Sequence, residues 1–134
     1  MDTAEDLDKV EIQIQTIKSL NMEKRIAVPV DENIMLDAHF GHCKYFALFE
    51  IENDKIVSVL KVQPPPHEPG VLPKWLADKN VTDVIAGGMG QKEIQIFNHN
   101  KVNVFVGAPK LTASEIVSGF MDKTIEFNAN YCDH

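Results

Sequence analysis

The stretch VTDVIAGGMGQKEIQIFNHNKVNVFV, residues 81–106, decides how this chain folds. It opens on Val81 to Ala86, which reads as a strand. Gly87-Gly88-Met89-Gly90 ends the strand with a tight loop, and Gln91 to Asn100 follows as a helix with Ile94 and Phe97 on its inner face. Val102 to Val106 restores a short β-branched run. Strand, helix and strand in so short a span form a crossover between two parallel strands of one sheet.

Upstream, Ile26 to Val30 reads as a buried first strand. Tyr45 to Ile51 and Ile56 to Val62 are the second and third strands, and Glu52-Asn53-Asp54-Lys55 is the hairpin turn between them. Gln63-Pro64-Pro65-Pro66-His67-Glu68-Pro69-Gly70 excludes helix and predicts an extended loop. Leu72, Trp75 and Leu76 stripe a short helix that Asn80 can end in a left-handed conformation. Downstream, Gly107-Ala108-Pro109 turns the chain, and Thr112 with Glu115 makes a capping box. The helix it starts carries Ile116, Val117, Phe120 and Met121, and the last eleven residues are a tail. The order β-β-β-α-β-α-β-α predicts an α/β fold: three layers, a mixed five-stranded sheet in order 3-2-1-4-5, strand 2 antiparallel, helices on both faces. That is the layout of the ribonuclease H-like fold.

The chain has 134 residues, enough for one core and too few for two. Residues 25–123 are the expected domain and residues 124–134 a C-terminal tail. Residues 1–24 form an N-terminal extension with two competing periods: Leu7, Val10, Ile14 and Ile17 suit a helix, Val10, Ile12 and Ile14 a strand. Glu, Gln and Lys in the gaps favour the helix, packed on the body or on a second copy, with a partly ordered extension as the alternative, so monomer and homodimer both stay open. Thirteen Lys and Arg against twenty Asp and Glu leave a net charge of −7, which disfavours nucleic acid and anionic membranes as partners. No apolar run approaches the ~20 residues of a membrane span, and the acidic start does not read as a signal peptide, so a cytoplasmic location is expected.

Ligands in open α/β sheets bind beyond the carboxyl ends of the strands where the winding reverses. Here that point lies between strands 1 and 4, where loops 31–44 and 87–91 meet. The first loop holds His39, Phe40, Gly41, His42 and Cys43, two imidazoles and a thiol that suit zinc, copper, iron or iron–sulfur groups. Lys44 and a protonated histidine are expected to lower the Cys43 pKa towards the metal-binding thiolate. In the second loop, Gly88, Met89 and Gly90 precede a helix, and bare glycine amides at a helix start cradle anions. Neither a Walker loop nor a dinucleotide fingerprint is present. Cys132 and His134 in the tail could return to the same edge, because eleven extended residues span about 35 Å.

His39-Phe40-Gly41-His42-Cys43 after strand 1, with Gly88-Met89-Gly90 after strand 4, resembles the dinitrogenase iron–molybdenum cofactor biosynthesis family over roughly residues 25–122. The resemblance implies a ribonuclease H-like fold and binding rather than turnover. An iron–molybdenum or iron–sulfur type cluster would be held, and passed among cofactor-assembly proteins, by His39, Phe40, Gly41, His42, Cys43, Gly88, Met89 and Gly90. Lys44, Lys92 and the two histidines would offset the cluster's negative charge. Cys132 and His134 are an addition from this sequence, as further metal ligands beside His39, His42 and Cys43.

Three rivals remain. Zinc could be held by a Cys₂His₂ set from loop and tail. A regulatory domain could keep the fold without a cofactor. A nuclease is least favoured, because two-metal cleavage needs convergent carboxylates, and Asp31, Asp37, Glu50 and Asp83 do not obviously converge.

Overall fold

The computed structural model describes residues 24–38, 40–66, 68, 70–127 and 129–131, the last three by backbone alone. Strand β1 (Lys24–Val30) leads to a single 3₁₀ turn, Phe40–His42, and then to the hairpin β2 (Tyr45–Glu52) and β3 (Lys55–Val62). Helix α1 (Val71–Asp78), β4 (Asp83–Ala86), α2 (Gln91–His99), β5 (Asn103–Val106) and α3 (Ala113–Asp122) follow, and β6 (Ala129–Tyr131) closes the order. The sheet runs β3-β2-β1-β4-β5-β6. β2 is antiparallel to β1 and β3, while β1, β4 and β5 are parallel, so the 3-2-1-4-5 ribonuclease H-like order read from the sequence holds.

The sheet is wider than expected by one strand. Residues 129–131, assigned to the tail, pair antiparallel with β5 from Val106 to Val104. Three residues are too short a run to carry a strand signal of their own, so tertiary pairing decides.

Alternation sorts the core into two layers. Ala27, Phe46, Leu48, Val84 and Val104 face α1 and α2, where Leu72, Leu76, Ile94 and Phe97 are buried. Ile26, Val28, Val30, Ala47, Phe49 and Ile85 face α3, through Ala113, Ile116 and Val117. The local signals work as their chemistry requires. Asn53 and Asp54 take φ of 53° and 61°, the left-handed pair of a tight hairpin. Asn80 has φ 65° two residues after α1, and Thr112 with Glu115 closes a reciprocal capping box. The Thr112 bonds hold the Glu115 carboxyl below its ordinary pKa.

Pro29 sits in a central strand, where its missing N–H usually forbids it. It is tolerated because β1 pairs with β4 only at Ile26 and Ala27. Beyond that level β1 parts from β4, and the Pro29 carbonyl accepts instead from the Asp37 amide at 2.9 Å. The proline thus marks the point where the sheet opens and the crevice begins.

Candidate functional site

Residues 31–38 are held firmly beside that opening. The Asp31 carboxylate accepts from the Asn33 and Met35 amides at 2.8 and 3.1 Å, folding the chain back so that Leu36 bridges to Val30. Leu36 donates to the Leu111 carbonyl, and Ala113 donates to Ile34, both at 2.9 Å, which pins the segment to the start of α3. The chain then crosses to the other side of the sheet and dips into the core at Phe40. This ring is 4% exposed and packs edge-on against Phe46 and Phe97, each at 5.5 Å. Burying Phe40 winds residues 40–42 into the 3₁₀ turn where an open loop was expected.

The turn is the wall between two hollows. On one side lies a cleft of about 360 Å³ lined by Ala38, Phe40, Gly41 and His42 and, across from them, Gly88, Met89, Gly90 and Glu93. The two loops meet here, and Gly87 packs against Leu36 and Ala38, where a Cβ would lie 3.6 Å from each. On the other side, an open hollow of about 470 Å³ is lined by Gly41, His42, Cys43, Lys44, Tyr45, the strap Gln63-Pro64-Pro65 and Leu72.

The glycine rim is bare peptide. A Cβ on Gly88 would meet nothing within 4 Å, so glycine leaves that stretch of backbone uncovered towards the cleft. Gly90 caps α2 with extended backbone and no side-chain cap bond, leaving the first-turn amides facing the rim. A Cβ on Gly90 would stand 2.7 Å from the Glu93 Oε2, so the carboxylate of α2's first turn lies against this glycine. Met89 is half-buried and packs on the core beneath.

The thiol departs from expectation. Cys43 is 8% exposed, packs with the Phe40 and Phe46 layer, and donates from Sγ to the Phe40 carbonyl at 3.4 Å. Burial, with the Asp37 charge adding to it, pushes its pKa up to about 12. Lys44 does not lower it, because the Lys44 ammonium pairs with the Glu32 carboxylate in solvent. That pair raises the lysine's pKa and lowers the glutamate's. Position next in sequence therefore gave the wrong sign: the neighbouring cation turns outward while the sulfur turns inward.

Of the other expected site residues, His42 is exposed and borders both hollows, and Gly41 lies between them. His39, Cys132 and His134 lie outside the described residues. Lys92 is exposed on α2. Glu93 was missed; its signal was an acid three residues after Gly90, on the first turn of a helix that starts at the cleft. Tyr45 and the proline strap were read as strand and loop only, yet they line the second hollow.

The acids considered for a nuclease are spread over the sheet. Glu50 stands opposite Arg25 and pairs with it, and Asp83 stands opposite Ile26, both at the start of β1. Asp31 follows the other end, about 17–20 Å away at strand rise. Asp83, 1% exposed, accepts from Thr82 Oγ1 at 2.7 Å and Asn103 Nδ2 at 2.9 Å, with Lys24 Nζ at 3.7 Å. It ties β4, β5 and β1 together. Among the described residues, no three His, Cys, Asp or Glu side chains gather closely enough to hold a metal ion.

The pattern of the dinitrogenase iron-molybdenum cofactor family matches residues 22–123. The chain belongs to that family. The uncharacterized protein MJ0580 of Methanocaldococcus jannaschii is 28% identical over 107 residues, covering 76% of this chain and 89% of its own. The crystal structure of PH0822 superposes with a TM-score of 0.71 at 27% identity, covering 78% of this chain and 94% of that one. The apo orange protein of Desulfovibrio gigas shares the fold, with a TM-score of 0.67 at 21% identity over 79% of this chain and 93% of its own. The family name ties the chain to metallocofactor biology, and no helix among the described residues is long and apolar enough to cross a membrane.

Proposed function

We propose that this protein is a non-catalytic carrier that takes an iron–molybdenum or iron–sulfur type cluster as cargo and yields it to cofactor-assembly proteins in the cytoplasm. The observation that carries the reading is the uncovered backbone at Gly88, on the same cleft as His42. Metal–sulfur clusters are commonly anionic, and their charge and bridging sulfides are met by amide donors and a positive helix end. His42 is the soft nitrogen donor on the opposite rim, and Met89 supplies a polarizable wall.

The donor set fits a loosely held anion better than a covalently anchored centre. Cys43, protonated and turned inward, is not a ready thiolate at neutral pH. A few weak contacts allow release, which a carrier needs and a permanent redox centre does not. His39 stays within the proposal as a further ligand. β6 runs from the Val106 level towards Val104, away from the cleft edge, so Cys132 and His134, which follow it, are not counted among the ligands. Zinc in place of a cluster is tested by the same measurement.

The test is anaerobic reconstitution with iron, molybdate and sulfide, followed by gel filtration and elemental analysis including zinc. Wild type is expected to retain molybdenum or iron with sulfide. His42→Ala and Gly88→Asp should each lower the load at least tenfold while the circular dichroism stays unchanged. Wild type that retains neither metal nor sulfide, or variants that load as wild type does, would overturn the reading.

A further inference from the structure

Strand β3 ends the sheet, and among the described residues nothing pairs with its outer edge. It is eight residues long, and Val57, Val59 and Leu60 are 53%, 49% and 57% exposed. Its centre, Ile56 to Leu60, carries no charge, and Lys61 near its end lies over the Tyr45 ring at 4.5 Å. Long, apolar, open edges recruit strands, and folded proteins shorten, charge or cover them. Here shortening and central charge are both missing, and the one bulge, at Val57 between the Glu50–Ser58 and Ile51–Ile56 pairs, leaves Ser58 to Val62 a regular open edge that covering can protect.

We propose that residues 10–16 of this same chain, Val-Glu-Ile-Gln-Ile-Gln-Thr, add to β3 as an antiparallel strand and extend the sheet. The alternation fits: Val10, Ile12 and Ile14 fall on one face and Glu11, Gln13 and Gln15 on the other. Reach fits as well. Lys24 lies opposite Ile51, next to the Glu52–Lys55 end of the hairpin, so the chain joins β1 at the edge where β3 begins. Three strand spacings separate the added strand from β1, about 14 Å. The seven residues 17–23 span up to about 24 Å when extended. A segment that must finish at that edge runs opposite to β3, which gives the antiparallel sense.

Charge and tethering select this occupant. Residues 1–23 carry six acids against two lysines, while β3 carries Lys55 and Lys61. Two copies of β3 would instead set lysine-bearing edges against each other, which cross-strand pairing disfavours. A segment on a short tether also meets the edge at millimolar effective concentration. The helical alternative must fold with little help, since a helix of this length is marginal in water.

Hydrogen exchange of the full chain, read residue by residue by NMR, tests the proposal alongside mass by light scattering. Amides of residues 10–16 and the alternate β3 amides that face away from β2 should exchange at least tenfold slower than in an unstructured chain, at monomer mass. Ile12→Pro should release both sets together, and Ile14→Lys should weaken both while the core amides stay protected. Free exchange at 10–16, protection there without protection of the β3 edge, or protection that appears only with a dimer would each overturn it. So would an Ile12→Pro variant that exchanges like wild type.

Discussion

The two rims of the cleft are built in opposite ways. The 31–44 rim is tied down at every step: the Asp31 turn, the Leu36–Leu111 bond, the buried Phe40 ring and the inward thiol of Cys43. The 87–90 rim is backbone with little side chain, and at Gly88 open space stands where a Cβ would be. One rim spends its side chains on the core and leaves His42 to face solvent; the other keeps its backbone accessible. A site made this way has one wall of packed side chains and one of exposed backbone, and substitutions on the two rims should fail differently.

The largest effect is expected on the tied rim. Phe40→Ala removes a ring held by Phe46 and Phe97 and should cost about 3–5 kcal/mol in denaturant unfolding. A loss under 1 kcal/mol would show that the 3₁₀ turn does not depend on its buried ring.

The thiol comes next. With its pKa at about 12 and its side chain buried, native Cys43 should react with iodoacetamide at pH 8 at least a hundredfold slower than in the unfolded chain, followed by peptide mass mapping. The sign for stability follows from linkage. The folded chain holds this proton more tightly than the unfolded one, whose thiol ionises near 9. The native preference is full below pH 9 and falls as pH rises from there towards 12, a slope that Cys43→Ala should remove. A native thiol that alkylates as fast as the unfolded one would restore the exposed-thiolate picture.

The same contrast explains what could be read from the sequence. The strand order came through because its signals are local: Asn53-Asp54 for the hairpin, Asn80 and the Thr112–Glu115 box for helix ends, apolar runs for the parallel strands. That loops 31–44 and 87–91 share a cleft also followed, since topology alone brings them to one edge. The direction of the Cys43 side chain did not. It depends on Phe40 finding a slot beside Phe97, 57 residues away, and on Lys44 finding Glu32, neither of which any local pattern contains. The sixth strand escaped for a similar reason, being three residues whose only strand signal is their partner.

Glu93 sharpens the comparison on the open rim. Its carboxylate lies against Gly90 at the start of α2, so it is a tethered anion where an anionic cargo would contact the amides. Glu93→Gln keeps the shape and removes the charge. It should raise the cluster load or slow its loss by a few-fold, at a stability cost of about 0.3–1 kcal/mol from the helix dipole. Unchanged retention would place the cargo away from this helix end.

The smallest effect is the most discriminating. Gly88 and Gly107 are both turn glycines, but Gly107 has φ 93° and Gly88 is not in the left-handed region. Gly107→Ala should therefore cost about 1–2 kcal/mol through backbone strain. Gly88→Ala has neither strain nor a neighbour within 4 Å and should move stability by less than about 0.5 kcal/mol. If its methyl nevertheless lowers metal retention, the glycine is there for the ligand's approach and not for the turn. If retention and stability are both untouched, backbone access at this position is not what holds the cargo, and the open rim loses its assigned role.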